Sequence, residues 1–170
     1  CLDGEVEEVI KLLQSEQINI NWQDPKFSKT PFYIACEEGH IDIVKLLLND
    51  QRVDPNKLDN NGITPFYNAC QKGFIEVVKL LLNDNRVDIN KPNKCGQTSF
   101  DIAYKNGHIE IVELLLNDNR VDVNKANQYG QTPFYVSCEN GNIETVKLLL
   151  NNQRVDVNKA ENESRTPFWM

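Results

Sequence analysis

The sequence predicts an all-α solenoid, a row of stacked helix-turn-helix units with protruding hairpin loops, and three observations predict it. The chain repeats itself every 34 residues, each period opens on a helix-start signature, and each closes on a stretch too rich in Asn, Asp and Gly to be helical. Thr30-Pro31-Phe32-Tyr33, Thr64-Pro65-Phe66-Tyr67, Thr98-Ser99-Phe100-Asp101, Thr132-Pro133-Phe134-Tyr135 and Thr166-Pro167-Phe168-Trp169 fix the period. Behind the first four come Gly39, Gly73, Gly107 and Gly141, then aliphatic runs ending at Leu48, Leu82, Leu116 and Leu150. Arg52-Val53-Asp54-Pro55-Asn56-Lys57 and its copies at 86–91, 120–125 and 154–159 complete each unit.

Each block has a local reason. A Thr hydroxyl accepts the orphan N–H groups of a helix start, and Pro at the first helical position loses nothing by lacking an N–H. Gly nine residues after the Thr adopts the left-handed conformation that ends a helix, so the first helix of a unit runs about eight or nine residues. From Ile41 to Asn49, Ile41, Val44, Leu47 and Leu48 recur at helical spacing, with Asp42 and Lys45 paired on the other face. The stretch from about Asn49 to Ile63 then reads as an extended, turn-rich arm. One short helix pair cannot bury its own apolar face, so Phe32, Phe66, Phe100 and Phe134 are expected to stack with the Leu triplets in one core.

A 34-residue period is also that of tetratricopeptide units, but those fill nearly the whole period with helix and carry a Trp-x-x-Leu-Gly pattern absent here. The order Thr-Pro-Phe-Tyr, Gly-His-Ile, Val-Lys-Leu-Leu-Leu, Val-Asp-Val-Asn resembles the ankyrin repeat. The resemblance covers the chain as one domain: a partial repeat at 1–29, full repeats at 30–63, 64–97, 98–131 and 132–165, and the start of another at 166–170. Family units run about 33 residues; the extra residue here falls between the Leu triplet and Val-Asp, where it lengthens a loop without breaking the stack. The family's arm-tip Gly is kept at Gly62, Gly96 and Gly130, whereas Ser28 and Ser164 stand in the first and last arms, which are expected to turn differently. Because the chain opens inside a partial repeat without an initiator Met and stops at Phe168-Trp169-Met170, it reads as a piece of a longer array. Val9, Leu13 and Trp169 would then be covered by neighbouring repeats.

Composition narrows the function. The net charge is −7, with 14 acidic and 8 basic residues over 1–85 against 11 and 10 over 86–170, which argues against nucleic acid as a partner. The periodic Lys57, Lys91, Lys125 and Lys159 have Asp nearby in every copy and read as a solvated edge. Apolar runs are too short to span a bilayer. Cys36, Cys70 and Cys138 share one register position, with Cys1 in the same place before Gly4. Equivalent helix positions lie about 8–10 Å apart, beyond disulfide reach of about 7 Å, so these are expected to be buried thiols in a reducing, cytoplasmic compartment. Cys95 sits at an arm tip instead.

His40 and His108 follow the turn Gly where Phe74 and Asn142 stand elsewhere, so they read as helix-start residues. Asp54, Asp88, Asp122 and Asp156 each follow an Arg by two residues and read as loop charge pairs. Asn56, Asn90, Asn124 and Asn158 are expected to bond loop backbone. No phosphate loop, nucleophile elbow or metal spacing is present, so the sequence implies no enzyme, cofactor or metal.

Two positions break the register. Tyr104 replaces a small Cys, predicting an outward rotamer or repacking and a hydrogen bond to Asp101. Asn68 replaces Ile or Val and must find partners if buried.

The resemblance implies a non-catalytic protein–protein interaction module, monomeric, binding an unknown protein or peptide through its arm tips and concave inner-helix face. Positions that vary between repeats at those places are the candidate partner-binding residues: Phe27, Lys29, Asn60, Asn61, Ile63, Lys72, Lys94, Cys95, Gln97, Lys105, Gln128, Tyr129, Gln131 and Arg165. Tyr129 and Phe27 are the first aromatic anchors, and Lys94, Lys72 and Lys105 a basic cluster. A spacer, scaffold or targeting segment of a larger multidomain protein, with an enzyme domain elsewhere, stays open as the second reading.

Overall fold

A computed structural model describes residues 2–15, 17–162 and 165–167, with side chains from Glu7 onward. Its described helices are α1 (Leu2–Leu13), α2 (Pro31–Glu37), α3 (Ile41–Leu48), α4 (Pro65–Lys72), α5 (Ile75–Leu82), α6 (Ser99–Lys105), α7 (Ile109–Asn117), α8 (Pro133–Glu139) and α9 (Ile143–Leu150). No strand occurs among the described residues. The fold is the all-α repeat solenoid that the period predicts. The chain divides into two compact units, Cys1–Asp88 and Ile89–Met170.

Thr30, Thr64, Thr98 and Thr132 cap the first helices, their hydroxyls accepting the N–H of the third helical residue at 3.0–3.2 Å. These helices are seven or eight residues long, slightly shorter than the Gly spacing suggests, because three of them end on a right-handed residue just before the turn Gly. All four turn glycines have φ between 66° and 78°. On the second helices, Val44, Leu47, Val78 and Leu81 are buried in the first unit and Val112, Leu115 and Leu149 in the second, but Ile41 and Ile143 are exposed. They are the first helical residues, where the face turns toward solvent. The opposite face carries the pairs Asp42–Lys45, Glu76–Lys79 and Glu144–Lys147 at 3.5, 2.8 and 3.0 Å. His40 and His108 sit at helix starts without a side-chain cap bond.

Phe32 and Phe66 are buried in the first unit, Phe100 and Phe134 in the second. Cys36 and Cys70 are buried free thiols whose ionisation burial pushes up; Cys138 is half-buried, and Cys1 lies outside the described residues. Val9 and Leu13 line an apolar cleft of about 370 Å³ with Leu12, Ile18, Ile34 and Leu47.

The third full repeat shows how a misfit is absorbed. Tyr104 does not turn outward: it is buried, meets Phe100 edge-on at 6.0 Å, and donates its hydroxyl to Asp101 Oδ1 at 3.2 Å. Asp101 Oδ2 accepts the Thr98 backbone N–H at 2.7 Å and the Thr98 hydroxyl at 2.9 Å, completing a reciprocal cap. Ser99, where the other repeats carry Pro, is buried and its hydroxyl has no partner. Thr98 is already extended at φ −92°, ψ 171°, as a residue before Pro must be. Ser99→Pro is therefore expected to raise stability by about 1 kcal/mol, by removing the orphan hydroxyl and stiffening the unfolded chain. A urea midpoint equal to or below that of the wild type would count against this reading.

The loop charges pair the other way round from the sequence expectation. Arg52, Arg86 and Arg120 bind the carboxylates two residues before them, Asp50, Asp84 and Asp118, each at 2.6 Å, rather than Asp54, Asp88 and Asp122 two residues after. The reason is backbone geometry: the earlier carboxylate also accepts the Arg backbone N–H at 2.9 Å in each case, folding the guanidinium onto it. Each guanidinium holds its carboxyl below the ordinary Asp value. The later Asp54, Asp122 and Asp156 instead accept the N–H of Asn56, Asn124 and Asn158.

Arg86 also reaches back to the preceding repeat, donating to the carbonyls of Leu48 at 2.7 Å and of Asp50 and Val53 at 3.3 Å. Arg154 does the same to Leu116, Asp118 and Val121 at 2.5, 3.2 and 3.0 Å. The Asn row reaches forward. Asn56 donates to Arg86 O at 2.6 Å and accepts from the Asp88 N–H at 2.7 Å, and Asn90 and Asn124 repeat the pattern on Arg120 and Asp122 and on Arg154 and Asp156.

Candidate partner-binding cleft

The arms are built by a residue the tip comparison passes over. Asp59, Asn93 and Asn127 each aim Oδ1 at two backbone N–H groups of their own arm, at 2.8–3.1 Å, which closes the turn. Where this residue is Asn, its Nδ2 donates to the Gln four residues on, Gln97 or Gln131. That pairing gives both glutamines a structural task. Arg165 is similarly engaged, pairing with the buried Glu161 at 3.2 Å. The first arm is one residue longer, closing from the Asp24 N–H to Lys29 O at 3.0 Å, with Ser28 at φ 57° taking the left-handed place of glycine. The last arm's Ser164 lies outside the described residues.

Six of the sequence-derived residues converge in the first unit. Phe27, Lys29, Asn60, Asn61, Ile63 and Lys72 line a cleft of about 510 Å³ between the arm tips and the helices α2 and α4. That volume suits an inserted side chain or short segment. Neighbouring arms are tied together here: the Asn60 N–H donates to Phe27 O at 3.0 Å and Asn60 Nδ2 to Lys26 O at 2.7 Å. Phe27 stays half-exposed, with the ammonium groups of Lys26 and Lys29 at 4.9 and 5.6 Å from its ring centre. Lys29 also pairs with Glu37 at 2.5 Å and lies 5.3 Å from the Tyr33 ring.

Sequence comparison missed the other lining residues that matter, Tyr33, Asp59 and Asn68. Tyr33 donates its hydroxyl to Asp59 Oδ2 at 3.2 Å and accepts from Asn68 Nδ2 at 3.2 Å. Burial, then the Asp59 charge, pushes the Tyr33 ionisation well above its ordinary value, so the phenol stays protonated and donates. The buried Asn68 thus finds the partner its burial requires. Its departure from Ile34, Ile102 and Val136 was the available signal.

In the second unit, Lys94, Cys95, Lys105, Gln128 and Tyr129 are exposed, with Tyr129 at 59%. Lys72 belongs to the first unit and Lys94 and Lys105 to the second, so the expected basic cluster is described only as separate parts. Among the described residues no group of three or more His, Cys, Asp or Glu is placed to hold a metal ion, and no helix is long and apolar enough to cross a membrane.

The family model described as Ankyrin repeats (3 copies) matches three overlapping stretches, residues 1–93, 51–127 and 85–161. The chain belongs to the ankyrin repeat family. Ankyrin repeats are generally protein–protein interaction modules rather than enzymes. The chain is also similar to human ankyrin repeat domain-containing protein 7, with 35% identity over 48 residues. That match spans 28% of this chain and 18% of the relative.

Proposed function

We propose that this ankyrin array is a non-catalytic binding module whose first unit grips a segment of a partner protein in the cleft between the arm tips and α2 and α4. The observation that carries the reading is the convergence there of Phe27, Lys29, Asn60, Asn61, Ile63 and Lys72, chosen for their variation between repeats. An exposed aromatic beside polar groups is the usual anchor of an interface. Lys72 sits at α4's last residue on the rim of the cleft, within its lining and available to a carbonyl of the segment. The free buried thiols Cys36 and Cys70 support a reducing, cytoplasmic setting.

Panning a displayed random-peptide library against the whole chain tests this. Peptides selected on the wild type are expected to lose about tenfold or more in affinity on Phe27→Ala with Lys72→Ala, the loss of one anchor being worth upward of about 1.4 kcal/mol. Ile143→Ala, at the exposed first residue of α9 in the second unit, should leave them bound. Peptides that ignore the first pair of changes would remove the cleft from consideration.

A further inference from the structure

We infer that Asn68 is a specificity-determining residue of this cleft, and that it reads an uncharged amide group of the bound segment. The inference rests on the proposed function of the cleft and deepens it.

The orientation of the Asn68 amide is decided by its neighbours. Tyr33 has one hydroxyl proton, and it goes to the Asp59 carboxylate, which can only accept. The Tyr33 oxygen is left as an acceptor, so Asn68 must turn its Nδ2 toward it, as observed at 3.2 Å. The carbonyl Oδ1 is thereby forced to the other side of the side chain. Asn68 is only 4% exposed, yet its Oδ1 accepts from no described residue. It is also not among the side-chain atoms sealed from solvent without a partner, so its access is through the cleft it lines. A carbonyl that opens on a cleft floor and has no protein donor is an acceptor available to one supplied from outside. The second Nδ2 hydrogen lies on the same amide plane, adding a donor next to the acceptor.

The charges around the floor select the guest. Lys29 and Lys72 balance Glu37 and Asp59, so neither a cation nor an anion enters without facing a like charge. A neutral amide offers an N–H to Oδ1 and a carbonyl to Nδ2 at no such cost. It can come from an Asn or Gln side chain or from an extended main chain, and the chemistry is the same for both. The other repeats carry Ile34, Ile102 and Val136 at this position and cannot offer it, so the reading is local to one place in the array.

The test uses the whole chain and peptides selected on it from a displayed random library. Asn68→Ile places in the second full repeat what its neighbours already tolerate, and a cooperative melt checks that the variant is folded. Peptides selected on the wild type are expected to bind this variant about tenfold to a hundredfold more weakly, because an amide aligned to a buried polar group is strongly discriminated from its absence. In the selected peptides, replacing an enriched Gln or Asn by Leu, or N-methylating one main-chain amide, should reproduce the loss on the wild type and cause little further loss on Asn68→Ile. The first pattern assigns a side-chain amide and the second a main-chain one. Equal binding to the wild type and Asn68→Ile, with loss on Phe27→Ala and Lys72→Ala retained, overturns the role of Asn68 and leaves the cleft standing. Peptides indifferent to all three changes, or no binders at all, overturn both.

Discussion

Replacing Arg86 with alanine is expected to lower the unfolding free energy by about 2–4 kcal/mol, because one guanidinium serves both a carboxylate and three carbonyls of the preceding repeat. Its Nε and terminal nitrogens reach both oxygens of Asp84 at 2.6–3.2 Å while other N–H groups hold the carbonyls of Leu48, Asp50 and Val53. Leu48 is the last residue of α3, so the cation also sits at the negative end of that helix. Removing it strands several half-buried acceptors at once. Arg86→Lys keeps the charge but not the planar fork, and should recover only a minor part of the loss. Urea unfolding of the wild type and both variants decides the matter. A loss below about 0.5 kcal/mol would mean that Arg86 behaves like an ordinary exposed ion pair. The Asp84 carboxyl is held below its ordinary value by Arg86, so its contribution is present above the unfolded value of about 3.9 and fades as the pH falls through the lower folded one. Stability from this device is lost in acid.

Asp101 is expected to show the opposite sign. Burial raises its carboxyl above the ordinary value, the hydrogen bonds from Thr98 and Tyr104 only partly opposing that. The unfolded chain therefore releases this proton first, and stability should decline as the pH rises from about 4 through the raised folded value. Asp101→Asn removes the titration while leaving one oxygen to accept from Thr98, so its urea midpoint should lack that decline. Asp101→Ala instead leaves the Thr98 N–H and the Tyr104 hydroxyl buried without their acceptor, at an expected cost of about 3 kcal/mol. Identical pH profiles for the wild type and Asp101→Asn would show that this carboxyl does not titrate as its burial implies.

Local chemistry was readable from the letters, and non-local chemistry was not. The Thr caps, the left-handed glycines and the short second helices each depend on residues within nine positions of one another, and they formed as spacing required. The Arg pairing failed because Arg86 has Asp84 and Asp88 at equal distance along the chain; only the turn, through the Arg86 N–H bonded to Asp84, breaks the tie. The cleft floor was hidden for a different reason. Tyr33, Asp59 and Asn68 come from a first helix, an arm and the next first helix, and nothing in the sequence says that a phenol will bridge them. The internal comparison could mark Asn68 as odd but could not say what it touched. For Tyr104 the local part was legible, the hydrogen bond to Asp101 three residues earlier, while the choice of repacking over an outward rotamer was decided by the ring edge against Phe100.

The two rows of inter-repeat bonds give each unit a direction. Asn56 spends its amide on the repeat that follows, while Arg86 spends its guanidinium on the repeat that precedes. Both sets of bonds cross the same seam, so parting these two repeats breaks the amide and the guanidinium contacts together, whichever of the two leaves. The seam is thus stitched from both sides, and neither stitch can be undone without the other.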